Sequence, residues 1–433
     1  MINPKMLLLF VLILGYSCGF SQDAEAEITY YLHCGKLIDS KSKNVKEEQT
    51  IVVKGKLIKE VLSGYKSAEN ESIKVIDLKE KTVMPGLMDM HVHIEHQSSK
   101  KRYEEGFRLN EADVALKATG YCRKTLMAGF TTVRDLGGTG VNVSLGNAVA
   151  KGHIVGPRIY TAEKSIATTG GHADPTNGLR KDLKGDPGPA EGVINSPEEA
   201  RKAVRQRYKN GADCIKITAT GGVLSVAKDG SGPQFSQEEV NAIVQAANEY
   251  GFTTAAHAHG AEGMKRAVLA GITSIEHGTK MNEEVMDLMI QKGTYYVPTI
   301  AAGKFVAEKA AIPGFYPDVV VPKALEIGPM IQNTFGKAYK RGVKIAFGTD
   351  SGVSPHGDNA KEFKFMHEAG MPVIEAIISA TRTPAEMLKI DDKLGTIEAG
   401  KLADIIAVDG DPLEDVEVMM EVGFVMRDGV VYK

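Results

Sequence analysis

The chain has 433 residues, 43% of them hydrophobic and 25% charged, a globular composition long enough for more than one hydrophobic core. Its formal charge of −3, from 52 basic and 55 acidic residues, offers no basic field to nucleic acid or to an anionic membrane. Function therefore has to be sought in a site rather than in a charged surface.

In chain order, residues 1–22 stand apart. Lys5 precedes an apolar run from Met6 to Gly15, and small residues follow as far as Ser21. The run is too short to span a bilayer, so it predicts a secretory signal peptide cut near Ser21-Gln22 and an exported, periplasmic or extracellular protein. Lipid anchoring at Cys18 is the lesser option, because Gly15-Tyr16-Ser17 is a poor lipidation signal. No second hydrophobic span is expected. Cys34, Cys122 and Cys214 are scattered, with no CxxC pair, and are expected as small buried apolar side chains.

Residues 23–82 hold short β-rich runs at Ile28–His33, Thr50–Val53, Leu57–Val61 and Ile73–Leu78, the middle two joined around Lys54-Gly55-Lys56. Residues 394–433 repeat the texture with Ala403–Val408, Phe424–Arg427 and Val430–Tyr432, and Asp428-Gly429 makes a tight turn. Two β-rich ends around a different middle predict one small β-sandwich domain built from both termini.

The middle, residues 83–393, alternates strand and helix signals. The run Val83-Met84-Pro85-Gly86-Leu87-Met88-Asp89-Met90-His91-Val92-His93 is strand-like, and Thr131–Asp135 and Arg158–Ala162 follow it. Ser196-Pro197-Glu198-Glu199 opens a helix that stops at Gly211 before the strand Cys214–Thr218. A capping box at Ser236-Gln237-Glu238-Glu239 opens the next helix, which ends at Gly251 before Thr253–His257. Ala261–Ala270 leads through Gly271 to Thr273–His277, and Asn282 caps a helix ending at Gly293 before Tyr295–Thr299. A later helix stops at Gly342 before Lys344–Thr349. Eight strands alternating with helices predict an α/β fold, a (β/α)8 TIM barrel, which carries catalytic groups at the C-terminal ends of its strands. No glycine-rich nucleotide fingerprint supports the alternative of a doubly wound open sheet.

The polar residues fall at those strand ends. His91 and His93 are two apart, so an extended strand points both to one face. Lys216 lies between Ile215 and Ile217, His257 and His277 close their strands, and Asp350 follows Ile345-Ala346-Phe347-Gly348-Thr349. Each alone has a plain structural explanation: a core histidine, a snorkelling lysine, a turn-capping aspartate. Together they form a metal-ligand set. An ammonium cannot bind a cation, but a neutral lysine amine can add CO2 and become a carbamate, an anionic oxygen ligand able to bridge two metals. His91, His93 and Asp350 then fit one divalent ion, and His257 and His277 the other. Lys216 and a hydroxide lie between them, and Zn²⁺ is the natural candidate. Asp350 is the expected catalytic residue, taking the proton from the attacking hydroxyl source and passing it to the leaving amine.

These residues, with Thr169-Gly170-Gly171-His172-Ala173-Asp174, Gly221-Gly222-Val223, His257-Ala258-His259-Gly260, Glu276-His277-Gly278, Gly400-Lys401-Leu402-Ala403-Asp404 and Gly410-Asp411-Pro412-Leu413, resemble the amidohydrolase superfamily. The likeness is to its secreted Xaa-Pro dipeptidase-like, imidazolonepropionase-related branch, which includes Xaa-Arg/Lys dipeptidases. The resemblance covers nearly everything after the signal peptide. It implies a metal-dependent hydrolase of peptide or amide bonds in dipeptides or N-acyl amino acids. A lactonase or organophosphate hydrolase, or an imidazolonepropionase- or deaminase-like hydrolase of cyclic amides, is the alternative; one-metal deaminases lack the lysine that stands here at position 216. His172, His259 and His356 are expected to contact substrate, and Glu95, Asp174, Asp229 and Asp358 are the acidic candidates for a basic side chain. The expected partner is a small molecule, with a homo-oligomer left open.

Overall fold

The computed structural model describes residues 28–228 and 230–433; the expected signal peptide, Cys18 and Asp229 lie outside them. Near the start of the chain, β1 (Thr29–Ile38), β2 (Val45–Lys54), β3 (Leu57–Ser63) and β4 (Ile73–Pro85) are longer than the β-rich runs suggest. Gly55 has a φ of +57° inside the two-residue turn that pairs Lys54 with Leu57. The parallel strands come next: β5 (Leu87–Val92), β6 (Phe130–Asp135), β7 (Arg158–Thr161), β8 (Cys214–Thr218), β9 (Thr253–Ala258), β10 (Ser274–His277) and β11 (Tyr295–Val297). The chain returns to the first layer with β12 (Ile405–Asp409), β13 (Val422–Arg427) and β14 (Val430–Val431).

Both ends of the chain meet in one seven-stranded sheet of order β14-β13-β12-β4-β1-β2-β3. The strands from the two ends share this one continuous ladder, and β4 is the reason. Over its length β4 pairs in parallel with β1, from Thr29↔Ile73 to Leu37↔Val83, while its last residues pair antiparallel with β12. One long strand thus splices the two terminal pieces edge to edge. A separate apolar cluster lies on this sheet, with Leu32, Ile51 and Val83 from one end packed against Ile405, Phe424 and Met426 from the other.

The passage from β4 to β5 occurs at Gly86. A Cβ there would come within 2.3 Å of the Thr131 hydroxyl, so only glycine lets the chain pass this close to β6.

β5, β6 and β7 form one parallel arc, and β8 to β11 a second. Single bridges span the gaps: Ile166↔Ile217 on one side, Tyr296↔Ile345 and Val92↔Ser351 on the other. The expected strand Lys344–Thr349 lies in the second gap but is not regular. Its Ala346 amide bonds Tyr296 and its Phe347 carbonyl accepts from Met90, while the Phe347 N–H turns aside to Ser379 and the Thr349 N–H to the Asp89 carboxylate. Donors diverted in this way cannot complete a ladder.

The helices begin and end where their caps predict. The Ser196 hydroxyl accepts from the Glu199 N–H at 3.3 Å, and Gly211 closes Pro197–Asn210 at a φ of +88°. Ser236 and Glu239 complete a reciprocal capping box, and Asn282 accepts from the Val285 N–H at 3.0 Å. The inner faces of these helices join the main core, where Val204, Ile243 and Val268 surround Ile215 and Ile217 of β8. Cys34, Cys122 and Cys214 are buried and unpaired, and burial pushes each thiol up to about 12. No helix among the described residues is long and apolar enough to cross a membrane.

Candidate active site

The ends of β5, β8, β9 and β10 converge on a cavity of about 540 Å³ whose lining includes His91, His93, Lys216, His257, His277 and Asp350. All six of the expected metal positions are therefore brought together. The Nε2 atoms of His91 and His93 lie 3.6 and 3.4 Å from Asp350 Oδ1. The His277 ring is 4.9 Å from that of His91 and 4.5 Å from that of His257. Ligand atoms of His91, His277 and Asp350 all lie within 4.8 Å of one another. Backbone geometry turns the side chains inward: His277 and Asp350 sit at φ of +68° and +57°, in the left-handed region that non-glycine residues seldom adopt.

Each imidazole is held by its other nitrogen. The His91 Nδ1–H donates to Glu276 Oε2 at 2.9 Å, and the His93 Nδ1–H to the Gly137 carbonyl at 2.7 Å, so both Nε2 lone pairs face the cavity. His277 Nδ1 is 2.7 Å from the Thr299 hydroxyl, while His257 turns its Nε2–H towards the Gly221 carbonyl at 3.3 Å. Glu276 and Arg134 are fully buried. Arg134 bonds Glu276 at 2.9 Å, and its other nitrogens reach the Met90 carbonyl and the Ser274 hydroxyl. Asp89 accepts from the His91 and Thr349 amides, which ties β5 to the segment carrying Asp350.

Burial governs the charge state. It pushes His93 down to about 3, and His91, His257 and His277 well below the usual imidazole range, so all four are neutral donors. It also lowers the Lys216 ammonium, against the pull of the Glu276 and Asp350 carboxylates, and raises the Asp350 carboxyl, with Lys216 opposing. Asp350 Oδ1 is buried without a hydrogen-bond partner among the described residues. An orphaned carboxylate oxygen facing neutral imidazoles is a donor set that fits a divalent cation.

His172 and His259 line the same cavity. His172 stacks on His257 at 4.3 Å, and its Nδ1 has no hydrogen-bond partner among the described residues. His259 Nδ1 lies 2.9 Å from the Thr279 hydroxyl. His356, expected to contact substrate, is not part of the cavity lining. Its Nε2 is bound to the His96 carbonyl at 2.9 Å, its Nδ1 lies 3.2 Å from the Ser351 hydroxyl, and its ring stacks on Tyr121, so it braces two loops from behind. The acidic candidates also lie elsewhere. Glu95 accepts from the Thr139 and Asn142 amides, Asp174 from Gly170 and Thr176, and Asp358 pairs with Lys361 at the surface. Sequence reasoning had no role for Glu276, Arg134 or His96. The first two carry a signal, a charge inside an otherwise buried strand; His96, whose buried Nε2 is unpartnered, sits in a loop with none.

Residues 82–432 match the amidohydrolase family. This chain belongs to that family. Among its relatives, ochratoxinase from Aspergillus niger is 33% identical over 373 residues, 81% of this chain and 75% of that one. A crystal structure of a Xaa-Pro dipeptidase with methionine bound in its active site is 55% identical, with a TM-score of 0.91 over 94% of this chain and all of that one. Imidazolonepropionase from Fusobacterium nucleatum is 24% identical over 406 residues, 86% of each chain. As an amidohydrolase the chain is a hydrolase of amide bonds, in a family that generally uses divalent metals.

Proposed function

We propose that this amidohydrolase is an exported metallodipeptidase that cleaves the peptide bond of dipeptides or N-acyl amino acids, with Xaa-Pro dipeptides as its first substrate class. The observation that carries the reading is Asp350, a buried carboxylate whose unpartnered Oδ1 faces His91 and His93 at 3.6 and 3.4 Å. The site reads most simply as the C-terminal mouth of a closed (β/α)8 barrel with Lys344–Thr349 as its irregular eighth strand.

His91, His93 and Asp350 would hold one divalent ion, and His257 and His277 a second, with Zn²⁺ preferred for imidazole and carboxylate donors. Bound there, the ions supply Lewis-acid polarisation of the scissile carbonyl and acidify a water. Lys216 belongs between the two sets. Burial favours its neutral amine, which could add CO2 with loss of one proton to give a carbamate, an anionic oxygen donor that would suit the ions. Asp350 accepts the proton of the attacking water and returns it to the leaving nitrogen, two duties that suit a carboxyl raised by burial. Glu276, held by Arg134, keeps His91 in the tautomer that aims Nε2 inward. His172 and His259 contact polar groups of the substrate.

The cavity lining also has an apolar part, with Val223, Leu224, Val306, Ile327, Ile331 and Val353. It suits a proline or another apolar side chain, in keeping with the methionine held by the 55% identical dipeptidase. Glu95, Asp174 and Asp358 do not line the cavity; of the acids that do among the described residues, Asp350 belongs to the metal set and Glu191 is drawn to Lys164.

The test is a screen of the metal-loaded protein against a dipeptide library, with lactones, organophosphates and imidazolonepropionate as controls. Dipeptide turnover lost on chelation and restored by Zn²⁺, with about two ions bound per chain, is the expected result. Turnover of lactones or organophosphates without any dipeptide would overturn the substrate class, and one ion at saturation would overturn the paired site. Sequencing of the mature N-terminus near Gln22 checks export.

A further inference from the structure

We propose that Arg102, at the side of the cavity, is the anchor for the substrate's free C-terminal carboxylate and so restricts the enzyme to exopeptidase cleavage. This rests on the dipeptidase reading above and adds the feature that selects among amides.

Three basic side chains line the cavity: Arg102, Lys164 and Lys216. Lys216 belongs to the cluster at its base. Lys164 is answered by Glu191, another lining residue, whose carboxylate is held below its usual range by the Gly188 N–H and in part by Lys164. Arg102 has no such answer. The only hydrogen bond of its guanidinium among the described residues is a long one, from Nη1 to the Ser98 hydroxyl at 3.3 Å, out of five donors. The acids on its own helix, Arg102–Arg108, are engaged elsewhere, Glu104 with Arg108 at 2.6 Å and Glu105 with Lys117 at 2.9 Å. Arg102 lines the same cavity as His93, Lys216 and Asp350, and the next residue, Tyr103, is fixed by its hydroxyl to the carbonyl of Leu224, another lining residue.

An arginine fork that lines a cavity with no ion pair among the described residues is built to receive a planar anion. In a dipeptide the terminal carboxylate carbon is two bonds from the scissile nitrogen, so the group that most needs a cation lies next to the bond to be cut. A lactone, a neutral ester or an internal peptide bond brings no anion to that place and leaves the guanidinium partly desolvated without a partner.

The experiment compares wild type, Arg102→Met and Arg102→Lys, all metal-loaded, on L-methionyl-L-proline and its C-terminal amide. Calorimetric binding of L-methionine and L-methioninamide is measured alongside. Wild type is expected to prefer the free acid by about 10²-fold in kcat/KM. Arg102→Met should lose about that factor on the acid, mainly through KM, and far less on the amide, with metal content and thermal midpoint unchanged. Arg102→Lys should recover part of the loss, having the charge without the fork. Equal losses on acid and amide, or a Met variant that still discriminates as wild type does, would overturn the assignment. If no dipeptide is cleaved at all, the dipeptidase reading fails separately and the calorimetry decides for Arg102. Preference for methionine over its amide that vanishes in Arg102→Met supports the anchor, and preference absent from wild type or retained in the variant refutes it.

Discussion

At the scale of single residues, Glu276 does for His91 what the sequence pattern could not announce. Its carboxylate takes the His91 Nδ1–H with one oxygen and Arg134 with the other, in a place where all three side chains are buried. Glu276→Gln keeps the shape but removes the charge that orders the imidazole and neutralises the guanidinium. Metal affinity should fall about 10- to 100-fold, read by titration with a competing chelator. Glu276→Ala should destabilise the fold by about 3–5 kcal/mol in denaturant unfolding, because it strands a buried arginine charge. Asp350 acts on the reaction instead. Asp350→Asn should leave the unfolding midpoint nearly in place while kcat/KM on the best dipeptide drops by more than the roughly 10²–10⁴-fold of acid–base help alone. Near-normal turnover would mean that another group handles the proton.

At the scale of elements, the helix Ile300–Ala310 starts from Thr299, whose hydroxyl meets His277 and whose φ is +54°. Its first amides, those of Ile300 and Ala301, donate at 2.8 and 2.7 Å to Glu362, a side chain borrowed from a later helix, Lys361–Glu368. Burial outweighs those two bonds and pushes the Glu362 carboxyl up to about 8. A carboxyl whose folded pKa lies above its unfolded value of about 4.3 holds its proton more tightly in the native state. Its contribution to stability is complete below about pH 4 and is lost as pH rises towards 8. Glu362→Gln should therefore gain stability relative to wild type across that interval, with little difference at its acid end. Parallel stability–pH curves for the two proteins would show that Glu362 does not titrate there. The expected strand Lys344–Thr349 and the expected contact His356 both departed from the sequence reading at this scale. In each, backbone donors or ring nitrogens found partners on other elements.

At the scale of the whole molecule, β4 joins two layers that are far apart in sequence. Removing residues 394–433 takes away β12, β13 and β14, exposes the β4 edge, and uncovers the cluster that includes Leu32, Ile51 and Val83. A bare edge beside an apolar face is an aggregation template. The truncated chain should be found in the insoluble fraction, and a soluble, active truncation would show that the barrel layer stands without the sheet. The expected first boundary at residue 82 falls inside β4, which runs three residues past it to Pro85.

Much of the arrangement was legible from local spacing. Period-two placement put His91 and His93 on one face, Ile215 and Ile217 left Lys216 pointing the other way, and Ser196, Ser236, Asn282 and their closing glycines marked helix ends. Such features depend on residues a few positions apart, and sequence determines them because strand and helix periods are intrinsic to the backbone. What only the tertiary structure decided is pairing over long separations. Glu276 reaches His91 across 185 positions, and Asp89 reaches Thr349 across 260. The edge-to-edge splice of the terminal strands is of the same kind, as is the choice of His356 to brace loops instead of facing the cavity. No local pattern encodes which distant donor satisfies a buried acceptor. That choice is made only when the packed core excludes water and each polar group must take the partner the fold brings to it.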